Sequence, residues 1–90
     1  MTLNDQSALE ARIDDRIDAT LEYWIEQLGR LCAQPSISAQ RLGIDECAEL
    51  TATMLREEGF ETEILPTGGS PIVFGEHGGR SDRTLLFYNH

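Results

Sequence analysis

A chain of 90 residues with 16 acidic and 7 basic side chains carries a formal net charge of −9, an acidic excess that repels nucleic acid and anionic membrane surfaces. Its 40% hydrophobic and 26% charged content is ordinary for a globular domain and excludes a disordered chain. The length suits one domain or part of one, able to bury only ~60–65% of its unfolded surface.

From the N-terminus, Ser7-Ala8-Leu9-Glu10 fits a capping box, in which the Ser hydroxyl accepts from the third backbone N–H and the Glu reaches back. Apolar residues follow at Ile13, Ile17, Leu21, Trp24, Leu28 and Leu31, the stripe of an amphipathic helix. Asp14, Asp15, Asp18, Glu22 and Glu26 lie on the other face. The pattern predicts a helix over 7–33, too short a stripe for a coiled coil, with Trp24 in a core. Pro35 stops it and pushes Gln34 toward extended backbone. Pro35-Ser36-Ile37-Ser38 reads as a turn whose Ile37 tucks inward.

A second stripe runs through Ile44, Cys47, Ala48, Thr51, Met54 and Leu55. Gly59 closes this helix as a left-handed cap, which places Phe60 to pack back on the last turn. The period then changes to two. Thr62 and Ile64 alternate with Glu61 and Glu63 in a half-buried strand, Thr67-Gly68-Gly69-Ser70 is turn chemistry, and Ile72-Val73-Phe74 begins a second strand running to His77. After the polar turn Gly78-Gly79-Arg80-Ser81-Asp82, Thr84-Leu85-Leu86-Phe87-Tyr88 predicts a third strand.

That third strand is apolar on both faces, with Leu85 and Phe87 pointing one way and Leu86 and Tyr88 the other. Such strands sit in the middle of a sheet, covered by helices on both sides, usually beside parallel neighbours. Two helices and two weaker strands are little material to cover it, so the pattern predicts an α/β protein in which further units follow. The other arrangement is a compact α+β mini-domain with this strand as its one good core element.

Few residues offer chemistry. His90 ends the apolar strand, and open α/β sheets bind ligands beyond the carboxyl ends of their strands. A catalytic zinc needs about three protein ligands, so His90 by its own pattern is also a lone terminal histidine. His77, between Glu76 and Gly78, reads as a surface histidine at a turn. Ser36 and Ser38 have no nearby His and Asp and take turn or capping roles. Gly68-Gly69 and Gly78-Gly79 precede no helix, as a phosphate loop must. Cys32 and Cys47 form no CxxC and read as reduced core thiols of a cytosolic protein. No apolar run approaches the ~20 residues of a membrane span, and Met1–Glu10 has no secretory-signal regions, so a cytoplasmic protein is expected.

The order of these features resembles the M20 metallopeptidases. Leu31-Cys32-Ala33-Gln34-Pro35-Ser36-Ile37-Ser38 is similar to the family's L-x-x-I-P-S-[IV]-S, Leu55-Arg56-Glu57-Glu58-Gly59-Phe60 to its L-x-x-x-G-F, and Pro71-Ile72-Val73-Phe74-Gly75 to its x-P-x-V-x-A. Thr84-Leu85-Leu86-Phe87-Tyr88-Asn89-His90 resembles the strand that carries the first metal ligand in H-x-D, and Phe87-Tyr88 is most like the dipeptidase and carboxypeptidase branch. Gln34 stands where the family usually has an apolar residue, and Asn89 where it commonly has Gly.

The resemblance implies that residues 1–90 form the N-terminal portion of one three-layer α/β/α zinc-peptidase-like catalytic domain, two helices and then three strands. The rest of that domain and a lid or dimerisation domain would lie outside this chain. It implies that His90 ligates one of two zinc ions and that the Asp two positions on orients it. In the family the metals activate a bridging water and a Glu moves the proton to the leaving amine. This chain contains none of the remaining groups, so the expected activity, hydrolysis of dipeptide-like amide bonds, belongs to a parent enzyme and not to these 90 residues. Tight zinc binding by this chain alone is not expected. The parent's partner would be a small peptide or N-acyl amino acid, and the resemblance leaves a homodimeric parent open. The alternatives are an N-acyl-amino-acid deacylase of the acetylornithine or succinyl-diaminopimelate type, and a non-catalytic α+β module that binds a partner through its last strand.

Overall fold

The computed structural model describes residues 3–90. Its elements are helix α1 (Leu3–Ala33), a short 3-10 turn (Ser38–Gln40), helix α2 (Ile44–Glu57) and strands β1 (Glu61–Leu65) and β2 (Ile72–Glu76). This is a mixed α/β arrangement of two helices and one two-stranded antiparallel sheet. The chain divides into two compact units, Met1–Pro35 and Ser36–His90.

In the first unit α1 already starts at Leu3, so Ser7 is an interior residue and the capping box at Ser7–Glu10 is not formed. Nothing in Asn4-Asp5-Gln6 breaks a helix, and Asp5 lies in the first turn, where a carboxylate complements the macrodipole. Gln6 Nε2 instead donates to Glu10 Oε1 across 3.3 Å. The helix ends at Ala33, two residues before Pro35. Its stripe is not a core. Ile13, Ile17, Leu21, Trp24 and Leu28 are all exposed, Trp24 by 45%, and Trp24 has the edge of Tyr23 beside it at 4.8 Å. Periodicity reports which face of a helix is apolar; burial requires a surface to cover that face.

The second unit follows its sequence pattern closely. Ala48 and Ala52 are its buried residues, with Ile44, Cys47, Thr51, Met54 and Leu55 half-buried around them. At the C-terminus Gly59 has φ +91°, the Gly59 N–H donates to Arg56 O (3.0 Å), and the Phe60 N–H donates to Leu55 O (3.1 Å). This is the Schellman pairing, and it turns the chain directly into β1. Arg56 Nη2 adds a bond to Thr62 O at 3.2 Å.

Strands β1 and β2 pair with Glu61 opposite Glu76, Thr62 opposite Gly75, Glu63 opposite Phe74, Ile64 opposite Val73 and Leu65 opposite Ile72. One face (Thr62, Ile64, Val73, Gly75) is half-buried and the other exposed, and α2 packs on both strands. The connecting turn uses the expected residues: Thr67 Oγ1 donates to Ser70 O (2.7 Å) and accepts from Gly69 N–H (2.9 Å). Strand β2 stops at Glu76, one residue short of the expected His77.

Three further expectations are corrected. The third strand over Thr84–Tyr88 does not form; residues 83–90 have no secondary structure and are exposed. A strand exists only through a paired neighbour, and none among the described residues pairs with this segment. Ile37 is 43% exposed and pairs its backbone with Leu42 in a small antiparallel bridge. Cys32 is exposed and only Cys47 is half-buried; both are free thiols.

Candidate functional site

His90 lies at the end of the irregular, exposed segment 83–90. The structure therefore places it on no strand end, and the rigid support that would aim an imidazole at a metal is absent from this segment. Among the described residues no three His, Cys, Asp or Glu side chains converge to hold a metal ion.

His77 follows directly on β2. Its Nδ1 is 2.9 Å from Gly78 O. A carbonyl only accepts, so Nδ1–H is the donor in this contact. Phe60 packs edge-on against the imidazole, with centroids 5.5 Å apart. The antiparallel register sets Glu61 across from Glu76, and Gly59, Glu61, Glu76, His77 and Gly78 line an open depression.

The site thus has two carboxylates paired across a ladder and an imidazole held by its own backbone. Glu61, Glu76 and His77 are all exposed, but they do not converge as a group that could hold a metal ion, and the site has no nucleophile. The sequence pattern puts His77 at a turn between Glu76 and Gly78 and sets Glu61 in alternation with Thr62. Their juxtaposition depends on strand register, and the only signal for it was the pair of alternating runs separated by six residues with Gly-Gly at the turn. Ser38 serves the turn expected of it, its carbonyl accepting from Arg41 N–H at 3.1 Å.

No helix among the described residues is long and apolar enough to cross a membrane. Against known proteins, no family model, no curated protein and no solved structure matches this chain.

Proposed function

We propose that this chain is the opening segment of the catalytic domain of a cytoplasmic zinc-dependent hydrolase of the M20 type, cleaving dipeptide-like amide bonds, with His90 as one metal ligand. The observation that carries the reading is the order and spacing of four motifs, Leu31–Ser38, Leu55–Phe60, Pro71–Gly75 and Thr84–His90. Two features are consistent with it. The Gly59-Phe60 corner joins α2 to β1 as a helix-to-sheet connection of an α/β layer, and Leu85, Leu86, Phe87 and Tyr88 form an apolar segment with nothing over it. In the proposed three-layer domain that segment is an inner strand between neighbours supplied by further chain.

The residues described here do not by themselves fit a zinc ion. One histidine on an irregular segment offers one nitrogen, against the three or so protein ligands a catalytic zinc takes. No catalytic step is therefore assigned to this chain, and substrate hydrolysis by it alone is not expected.

The test is to read the coding frame beyond His90 and to assay its product. The expected result is Asp two positions after His90, later Asp, Glu-Glu and His ligands, and zinc-dependent hydrolysis of dipeptides. His90→Ala is then expected to weaken zinc binding by at least about tenfold, the scale on which even outer-shell partners act. A frame without those ligands overturns the proposal. Hydrolysis of N-acyl amino acids in place of dipeptides moves the reading to the deacylase branch.

A further inference from the structure

We propose that two copies of this chain pair through α1, side by side and parallel. The apolar stripe of that helix, Leu9, Ile13, Ile17, Leu21, Trp24 and Leu28, is between 42% and 59% exposed. Among the described residues α1 is the one element of its unit. A helix draws most of its stability from packing an amphipathic face, not from its own turns. The length of the stripe bears on what covers it. At ~1.5 Å per residue it runs about 30 Å from Leu9 to Leu28, whereas a strand of a sheet spans ~17–20 Å. A helix laid along such strands is covered over part of its stripe only, and a second α1 matches it from end to end. The hydrolase reading does not require α1 on the sheet, since α2 already packs on both strands.

The charges beside the stripe select the occupant and its direction. At about 100° per residue, Arg12 and Arg16 lie along one side of the stripe and Asp14, Asp18 and Glu22 along the other. Each set is spaced by four residues, which puts like charges next to each other on a single helix and weakens it. No ion pair engages any of the five among the described residues. When two copies lie parallel, the twofold axis runs along the pair. It sets the basic side of each helix against the acidic side of the other, the device by which flanking charges fix orientation in helix pairs. When the copies lie antiparallel, Arg faces Arg and carboxylate faces carboxylate. A second copy in the parallel sense therefore covers the apolar stripe and relieves both like-charge rows at once. The stripe is short, so the pair packs as two straight helices ~8–10 Å apart and not as a long supercoil.

The experiment follows the 90-residue chain by sedimentation equilibrium in ~0.15 M NaCl, where a screening length of ~8 Å leaves charges in contact effective. The expected result is a reversible, concentration-dependent dimer. Asp14→Arg with Asp18→Arg makes both sides of the stripe basic, and Arg12→Glu with Arg16→Glu makes both acidic. Each double variant alone dimerises about tenfold or more weakly, because like charges then face each other across the pair. An equimolar mixture of the two double variants dimerises again, a rescue that a variant with a lost fold would not give. Spin labels on Cys32, exposed near the end of α1, report direction in a chain carrying Cys47→Ser. They lie on the order of 20 Å apart in a parallel pair and on the order of 40 Å apart in an antiparallel one. A chain still monomeric at ~1 mM, the weak end of the affinity scale, overturns the proposal. So does a mixture that fails to recover the dimer, or labels at the longer separation. The pairing needs no metal and no hydrolysis, so its failure leaves the hydrolase reading untouched.

Discussion

The Leu55 side chain fills the space in front of Gly75: a β-carbon on Gly75 would lie 3.2 Å from Leu55 Cδ1 and 3.6 Å from Phe60 Cβ. The last turn of α2 and the residue after its cap thus close over the bare backbone of β2. The glycine does not serve a turn here. It lets a helix approach a strand, one of the recognised uses of glycine inside a sheet.

Gly75→Ala is therefore expected to lower stability by about 1 kcal/mol and Gly75→Val by about 2 kcal/mol, the range for overpacking a filled site. Urea unfolding of the 90-residue chain followed by circular dichroism measures both. Combining Gly75→Ala with Leu55→Ala recovers part of the loss, because the two changes share one contact. Strict additivity of the two would contradict the packing described.

At Gly59 the cost of a side chain is conformational alone. Its β-carbon would meet only His77, at 3.8 Å, an ordinary contact, but φ is +91°. Gly59→Ala is expected to cost ~1–2 kcal/mol, the penalty of left-handed backbone for a residue with a β-carbon, and Gly59→Asn less, since Asn tolerates that region. Equal urea midpoints for the three chains would exclude the cap as a stabilising element.

Ala52 is fully buried where α2 packs on the hairpin. Ala52→Leu is expected to destabilise the chain by ~1–3 kcal/mol through overpacking, while Ala39→Leu on the exposed 3-10 turn changes the midpoint little. Both residues lie in the second unit, so the contrast separates the buried α2 position from the exposed turn of the same unit.

The Glu61–Glu76 pair sets like charges opposite each other across the ladder, which weakens a hairpin. Glu76→Gln is expected to raise the urea midpoint at low ionic strength, and the gain to shrink in 1 M NaCl as screening removes the repulsion it relieves. A gain independent of salt would point to a cause other than charge.

Isothermal titration of the 90-residue chain with zinc is expected to show no stoichiometric site of submicromolar affinity, because no three ligating side chains converge among the described residues. Tight one-to-one binding would mean that His90 finds partners the fold does not bring to it.

The parts of the fold that were legible in the sequence are those whose partners lie close by in the chain. The stripe from Ile44 to Leu55, the Gly59 cap and the alternation of Thr62 and Ile64 each imply a contact with the next element, and α2, β1 and β2 realise all of them. The same reading misplaced the start of α1, where Ser7 and Glu10 match a cap motif although nothing before them ends the helix. It also placed Trp24 in a core and 84–88 in a strand. Those patterns register an appetite for burial or pairing, and satisfying it takes a surface remote in sequence. The candidate site divides in the same way. His90 stands out by its place after the apolar run 84–88 and by likeness, whereas the juxtaposition of His77, Glu61 and Glu76 arises from a register that no single segment encodes.

The Phe60 N–H bonded to Leu55 O has a kinetic consequence. It sits where the helix hands over to the sheet, with Arg56 gripping Thr62 O across the same corner. To expose that amide, the last turn of α2 and the first residues of β1 must open together, so fraying of either element alone does not release it. Amide exchange at Phe60 should then report the joint opening of α2 and the hairpin as a single cooperative unit, and be slower than exchange at the unpaired 84–90 segment by the full stability of that unit.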